Sequence, residues 1–192
     1  MLRTLTHSLL FSTALGVAAA ACSAETIVDL TVTQTVEIDF HEMTGNVPAQ
    51  TLAGEIVFDL RAEPDFAELE DRLRCVGLDP YESVLHVSRL EAEGLESFLD
   101  FRVDIAPYPD GAWTPLADFA SLVTDQSTRG FDDAGFKIYL EGLDVLEAAA
   151  FDATPQYELR VSSKVPNDVL DLEVRLDLTV IFSSQAGACP SP

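Results

Sequence analysis

The chain has 192 residues and a formal net charge of −22, with 33 acidic against 11 basic side chains. That length suits one domain behind a short leader. So acidic a balance excludes binding to nucleic acid or anionic lipid through a basic footprint.

The first 24 residues read as a secretory signal. Met1-Leu2-Arg3 is a short basic start, Leu9 to Ala20 is apolar, and Ala18 to Ala24 is a run of small residues. The apolar stretch is too short for a permanent transmembrane anchor. Two cuts fit the sequence. Ala19-Ala20-Ala21-Cys22 resembles a bacterial lipobox, which makes Cys22 a lipidation candidate. It departs from that pattern at Ala19, where Leu is usual, and Ser23 after the cysteine resembles an outer-membrane sorting signal. Alternatively, Cys22-Ser23-Ala24 suits an ordinary signal peptidase and leaves Glu25 first. Both routes predict an exported product, either periplasmic or secreted, or an outer-membrane lipoprotein. All 33 acids follow the signal, and Arg3 is the only Lys or Arg within it.

Residues 25–192 then read as a single β-sandwich domain with a polar C-terminal tail. Period-two alternation dominates. From Val28 to Phe40 the apolar set Val28, Leu30, Val32, Val36, Ile38 and Phe40 alternates with Asp29, Thr31, Thr33, Thr35, Glu37 and Asp39. Leu52, Ile56, Phe58 and Leu60 repeat the pattern. Asp65 and Glu68 form a capping box for a helix that sets Phe66, Leu69 and Leu73 on one face and ends at Gly77. Residues 83–92 read as a more fully buried strand that carries His86 as a core histidine. Leu99, Phe101, Val103 and Ile105 alternate with Asp100, Arg102 and Asp104. Pro107-Tyr108-Pro109-Asp110-Gly111 is a turn. Residues 124–135 read as a polar loop, and Phe136, Ile138 and Leu140 as a short strand. A second helix over 142–151 sets Leu143, Leu146 and Ala150 on one side. Tyr157, Leu159 and Val161 lead through Pro166-Asn167-Asp168 into Leu170 to Phe182, which reads as a closing hairpin whose long last strand is central to a sheet.

The predicted fold class is mainly β, an antiparallel β-sandwich of seven to eight strands with two short helices. An outer-membrane barrel alternates too, but its outward face is apolar; here that face carries Asp, Glu and Arg. The lipobox-like start, the capped helix after an early strand, and the short helix before a long final hairpin resemble uncharacterised exported β-sandwich proteins of bacteria. The likeness is one of layout, and that group brings no activity with it.

Candidate sites are sparse. Of the cysteines Cys22, Cys75 and Cys189, processing removes Cys22 from pairing, and an oxidising compartment predicts a Cys75–Cys189 disulfide. Closing a loop of roughly 110 residues stabilises by about 4 kcal/mol or more in the chain-entropy picture, as an upper figure. His41 and His86 lack the spacing of a zinc site, so no metal site is assigned. The calcium candidates are Asp125, Asp132 and Asp133, in a loop without EF-hand spacing. Trp113, with Tyr108 nearby, is a ligand-platform candidate. The chain has no GxSxG elbow, Gly-rich phosphate loop or CxxC, so no catalytic residue or cofactor is assigned. The sequence reads as a non-enzymatic envelope protein that binds or scaffolds a protein or glycan partner. The alternative is a cation-dependent ligand binder or hydrolase with a loop-built site. A pocket in which buried acids converge with His86 or an aromatic favours the second, and a plain acidic coat favours the first.

Overall fold

The computed structural model describes residues 27–41, 50–92, 97–123, 127–130, 136–165 and 169–189. Among the described residues, ten strands form two five-stranded sheets packed face to face. Sheet I has the order β1 (Asp29–His41), β10 (Val169–Ser183), β4 (Val84–Ala92), β7 (Ser127–Gly130), with β3 (Cys75–Leu78) also on β10. Sheet II has the order β2 (Gln50–Asp59), β9 (Gln156–Val165), β5 (Ser97–Pro107), β6 (Thr114–Val123), β8 (Phe136–Ile138). Every pairing among the described residues is antiparallel. The fold is the mainly-β sandwich that the alternation predicts, with ten described strands where seven to eight are expected.

The core lies between the sheets. Leu30, Val32, Val36 and Ile38 from β1 and Leu172, Val174, Leu176, Leu178, Val180 and Phe182 from β10 meet Phe101, Val103, Ile105, Tyr157, Leu159 and Val161 from sheet II. With a side-chain period of 2, a one-residue slip of β10 would expose its whole apolar set and bury Asp171, Glu173, Arg175 and Asp177 between the sheets, so register is firmly set. β1 and β2 approach closely on one side. A Cβ on Gly54 would stand 2.0 Å from the Glu37 main-chain oxygen, so only glycine lets β2 lie on β1 there.

One end is closed by α1 (Pro64–Leu69), flanked by 3-10 turns at Leu60–Ala62 and Glu70–Arg72. Phe66, fully buried, packs edge-on against Phe182 with ring centroids 5.1 Å apart. α2 (Leu140–Ala150) buries Gly142, Leu146, Ala149 and Ala150 against β6, β5 and β3. The Cys75–Cys189 disulfide ties the C-terminal tail to the start of β3, across 114 residues.

Several expectations change. The closing hairpin is not one: β9 lies in sheet II and β10 in sheet I, so the chain crosses between layers. Alternation reports a buried face but not which sheet a strand joins, and both strands find partners on each side elsewhere. β10 is central, as expected. Cys75 starts a strand rather than ending a helix, and Gly77 lies within that strand. Pro64, whose fixed φ and missing N–H suit the first helical turn, starts α1 one residue before Asp65, and Glu63 at its cap makes no side-chain cap bond. β6 was missed because Pro115 and its alanines weaken the strand pattern. Pro115 sits opposite Asp104 at a bulge, where no ladder donor is needed. β7 falls inside what reads as a polar loop.

Candidate functional site

The outer face of sheet I carries a shallow concavity of about 460 Å³ lined by Glu37, Ile38, Asp39, His86, Ser88, Glu173, Val174 and Arg175. Three adjacent strands supply it. Ladder register sets Glu37 opposite Arg175 and Asp39 opposite Glu173, with His86 on the far side of Arg175. Ile38 and Val174 point into the core, so the polar side chains form the walls and main chain forms the floor. β4 has a bulge here: Arg89 pairs with Glu173 and Val87 with Val174, which leaves Ser88 as the extra residue. A bulge bends its strand and sharpens the local twist, which accounts for a hollow on an otherwise regular face.

Asp177 anchors the network beside the hollow. It is 7 % exposed although it faces outward. Arg175 donates to both of its oxygens, at 2.9 and 2.7 Å, and Thr35 Oγ1 donates at 2.7 Å. His86 Nε2 stands 3.4 Å from it. Burial raises the Asp177 carboxyl; the hydrogen bonds from Arg175 and Thr35, with the charges of Arg175 and His86, outweigh that and hold it below the usual carboxylate range. Arg175 is raised in turn, first by its hydrogen bond to Asp177. The Ser88 hydroxyl lies 3.1 Å from Glu173 Oε2 and 3.3 Å from the Glu173 main-chain oxygen. It donates there rather than to the imidazole, so Ser88 is not arranged as a nucleophile with His86 as its base. Arg89 pairs with Asp171 at 2.7 Å.

His86 is therefore no core histidine. Leu85 and Val87 take the buried positions of β4, and His86 faces outward with its side chain 38 % exposed. The acidic coat holds for Asp29, Glu37, Asp39, Asp59 and Asp100, which are exposed. It fails for Asp104, Asp171 and Asp177, which point outward yet are roofed by arginines.

Trp113 stands on the opposite sheet. Its ring lies 4.3 Å from the Arg160 guanidinium, which itself reaches Asp104 at 2.9 Å while Arg102 holds the same carboxylate at 2.6 Å. Trp113 thus belongs to the cover over Asp104 and shares no site with His86. Tyr108, joined to Pro109 by a cis peptide bond, is 40 % exposed. Asp125, Asp132, Asp133 and Cys22 lie outside the described residues, and His41 is placed only as the end of β1. Among the described residues no three metal-ligating side chains stand together, and no helix is long and apolar enough to cross a membrane.

Glu37, Asp39, Ser88, Glu173, Arg175 and Asp177 are the residues that sequence reasoning passed over as a site. The signal for all but Ser88 is the alternation Glu173-x-Arg175-x-Asp177 and Thr35-x-Glu37-x-Asp39. It becomes a site only once register lays β1 on β10.

No protein-family model matches the chain, and no curated protein does. Solved structures resemble it distantly. A decameric BFDV capsid protein covers 82% of this chain and 99% of its own, at 16% identity and a TM-score of 0.35. The desmodium yellow mottle tymovirus structure covers 96% and 100%, at 11% and 0.26. A family 11 carbohydrate-binding module from Clostridium thermocellum, in complex with a β-1,3-1,4-mixed-linked tetrasaccharide, covers 86% and 91%, at 9% and 0.28. Scores this low carry no argument about the site.

Proposed function

We propose that this is an exported, non-enzymatic binding protein that holds a partner against the outer face of sheet I. One observation carries the reading: the hollow that crosses β1, β10 and β4 sets the exposed Glu37 and Asp39 beside side chains held by their neighbours, Ser88 on Glu173 and Arg175 on the buried Asp177. Its volume falls within the range of ligand sites, roughly 300–1,000 Å³, but it lies open on a sheet face. An open, pre-ordered polar surface suits recognition. Catalysis of acyl transfer would need the Ser88 proton directed at His86, and it is directed at Glu173. The buried Asp177 beside His86 is the convergence that favours the alternative, a ligand binder with a built site, over a plain acidic coat, and it supports the ligand-binding part of this reading.

A photo-reactive residue placed at Ser88, in the protein as it is exported by its own cell, tests this. The control is the same residue at Ser162, on the outer face of sheet II. An adduct of defined mass at position 88 and not at 162 is the expected result. No adduct, or equal adducts at both, refutes the site. The leader supports export by its layout alone. Intact mass of the exported chain then reads its start: Glu25, or an acylated Cys22. Retention of Met1 to Ala20 contradicts export.

A further inference from the structure

The cleft's charged groups are satisfied largely from within the face. Arg175 spends two of its N–H groups on Asp177, Arg89 pairs with Asp171, and Ser88 bonds Glu173. A strongly charged ligand would have to compete with these pairs, and both signs line the same wall: Glu37, Asp39 and Glu173 beside Arg175. A hydroxyl group donates and accepts at once. It adds to such a wall without displacing any pair, because a guanidinium has five donors and a carboxylate about four acceptor positions. Carboxylate and guanidinium stand opposite each other in the register, as Glu37 and Arg175 do, so one wall offers an acceptor and a donor to neighbouring hydroxyls.

Shape narrows the class further. The hollow is shallow, and β1 is the edge strand of sheet I. A chain-like ligand can therefore lie lengthwise across the three strands, where an enclosed pocket would admit only a chain end. Aliphatic stems of Glu37, Glu173 and Arg175 give the C–H faces of a sugar ring something to rest on.

Building on the binding role above, we infer that the cleft takes an internal stretch of a neutral, linear oligosaccharide, held by hydroxyl groups between Glu37, Glu173 and Arg175. The described lining residues include no Trp, Tyr or Phe, so none of them stacks on a sugar ring and affinity is modest, with Kd on the order of 10⁻⁴–10⁻³ M.

The test is an NMR titration of the ¹⁵N-labelled exported chain with neutral gluco-, xylo-, manno-, chito- and malto-oligosaccharides of six units. Hexalysine serves as the charged comparison, and each titration is run at low and high salt. At least one oligosaccharide is expected to shift the amides of residues 37–39, 86–88 and 173–175, with affinity insensitive to salt. Glu37→Gln, an exposed change, weakens it about tenfold, since a hydrogen bond to a charged acceptor becomes one to a neutral amide oxygen; Ser162→Ala leaves it unchanged. Hexalysine moving those amides in a salt-sensitive way, with the oligosaccharides silent, overturns the ligand class. Silence of every oligosaccharide while the Ser88 adduct persists also overturns the class and leaves the binding role standing. Silence with no adduct overturns both.

Discussion

Gly54→Ala probes the contact that joins the two sheets at their β1–β2 side. A Cβ there would sit 2.0 Å from the Glu37 main-chain oxygen and 3.0 Å from its carbonyl carbon. Ordinary carbon–oxygen contact begins about 1.4 Å further out, near 3.4 Å. The obstacle is backbone, so no rotamer change relieves it. β1 is held along its whole length by β10, from Asp29 opposite Ser183 to His41 opposite Asp171, so it cannot retreat alone. The cost should reach or exceed the upper end of the overpacking range, about 3 kcal/mol. For a domain of this size that lowers Tm by roughly 6–12 °C, at about 2–4 °C per kcal/mol. Urea unfolding reads the change as a lower midpoint at constant slope. Ala53→Ser, one residue away and facing solvent, should stay within about 0.5 kcal/mol. A Gly54→Ala loss below about 0.5 kcal/mol refutes the close approach of β1 and β2. The same residue whose carbonyl meets Gly54 carries the Glu37 side chain into the cleft, so the variant should also weaken binding there.

Three further outcomes follow from the same packing. Replacing Cys75 and Cys189 together by alanine should lower stability by up to about 5 kcal/mol, since their bond closes a loop of 114 residues; denaturant midpoints of oxidised wild type and the double variant measure it. Asp177 has a lowered folded pKa, so its contribution is complete above the unfolded Asp value near 3.9 and is lost as pH falls through the folded value; the stability gap between wild type and Asp177→Asn should therefore be constant near neutral pH and shrink below about pH 4. Burial pushes the Tyr157 phenol well above its ordinary range, and Gln34 Nε2 donates to it inside the core. Tyr157→Phe should cost about 1–3 kcal/mol by leaving that amide unpaired, and adding Gln34→Leu should recover part of the loss.

Much of the fold was legible because a half-buried strand writes its two faces into alternate residues. β1, β2, β5, β9 and β10 all show this. What was not legible is which strands meet. The run from Tyr157 to Phe182 looks like a hairpin because turn residues separate two alternating segments. The same pattern serves equally well when the strands belong to opposite layers, since each then buries one face against the other sheet. Pro115 hid β6 because a proline reads as a breaker until its bulge is known. His86 was misread for a related reason: Val84, Leu85 and Val87 surround it with apolar residues, and only pairing shows that Leu85 and Val87 share the inner face while His86 takes the outer one.

The three buried outward acids show where an alternating pattern stops being only a solubility device. An aspartate that faces water has no reason to lose exposure unless something covers it, and a covering group costs side-chain entropy to hold in place. Asp104 is covered by Arg102 and Arg160, with Trp113 stacked on the latter. That arrangement is complete in itself and fills the surface of sheet II at that point. Asp177 is covered by Arg175, Thr35 and His86, yet the face beside it is hollow and its lining holds Arg175 and His86 as well. The two clusters use the same chemistry and differ in what stands next to them: a tryptophan closes one, and a bulge at Ser88 opens the other. Filling the hollow should therefore separate structure from recognition. Ser88→Trp should block the cleft while leaving the inner faces of β1, β4 and β10 untouched, so binding in the cleft disappears with stability changed by less than about 1 kcal/mol. Retained binding in a folded Ser88→Trp protein, read from the same backbone amides, removes the hollow as the site.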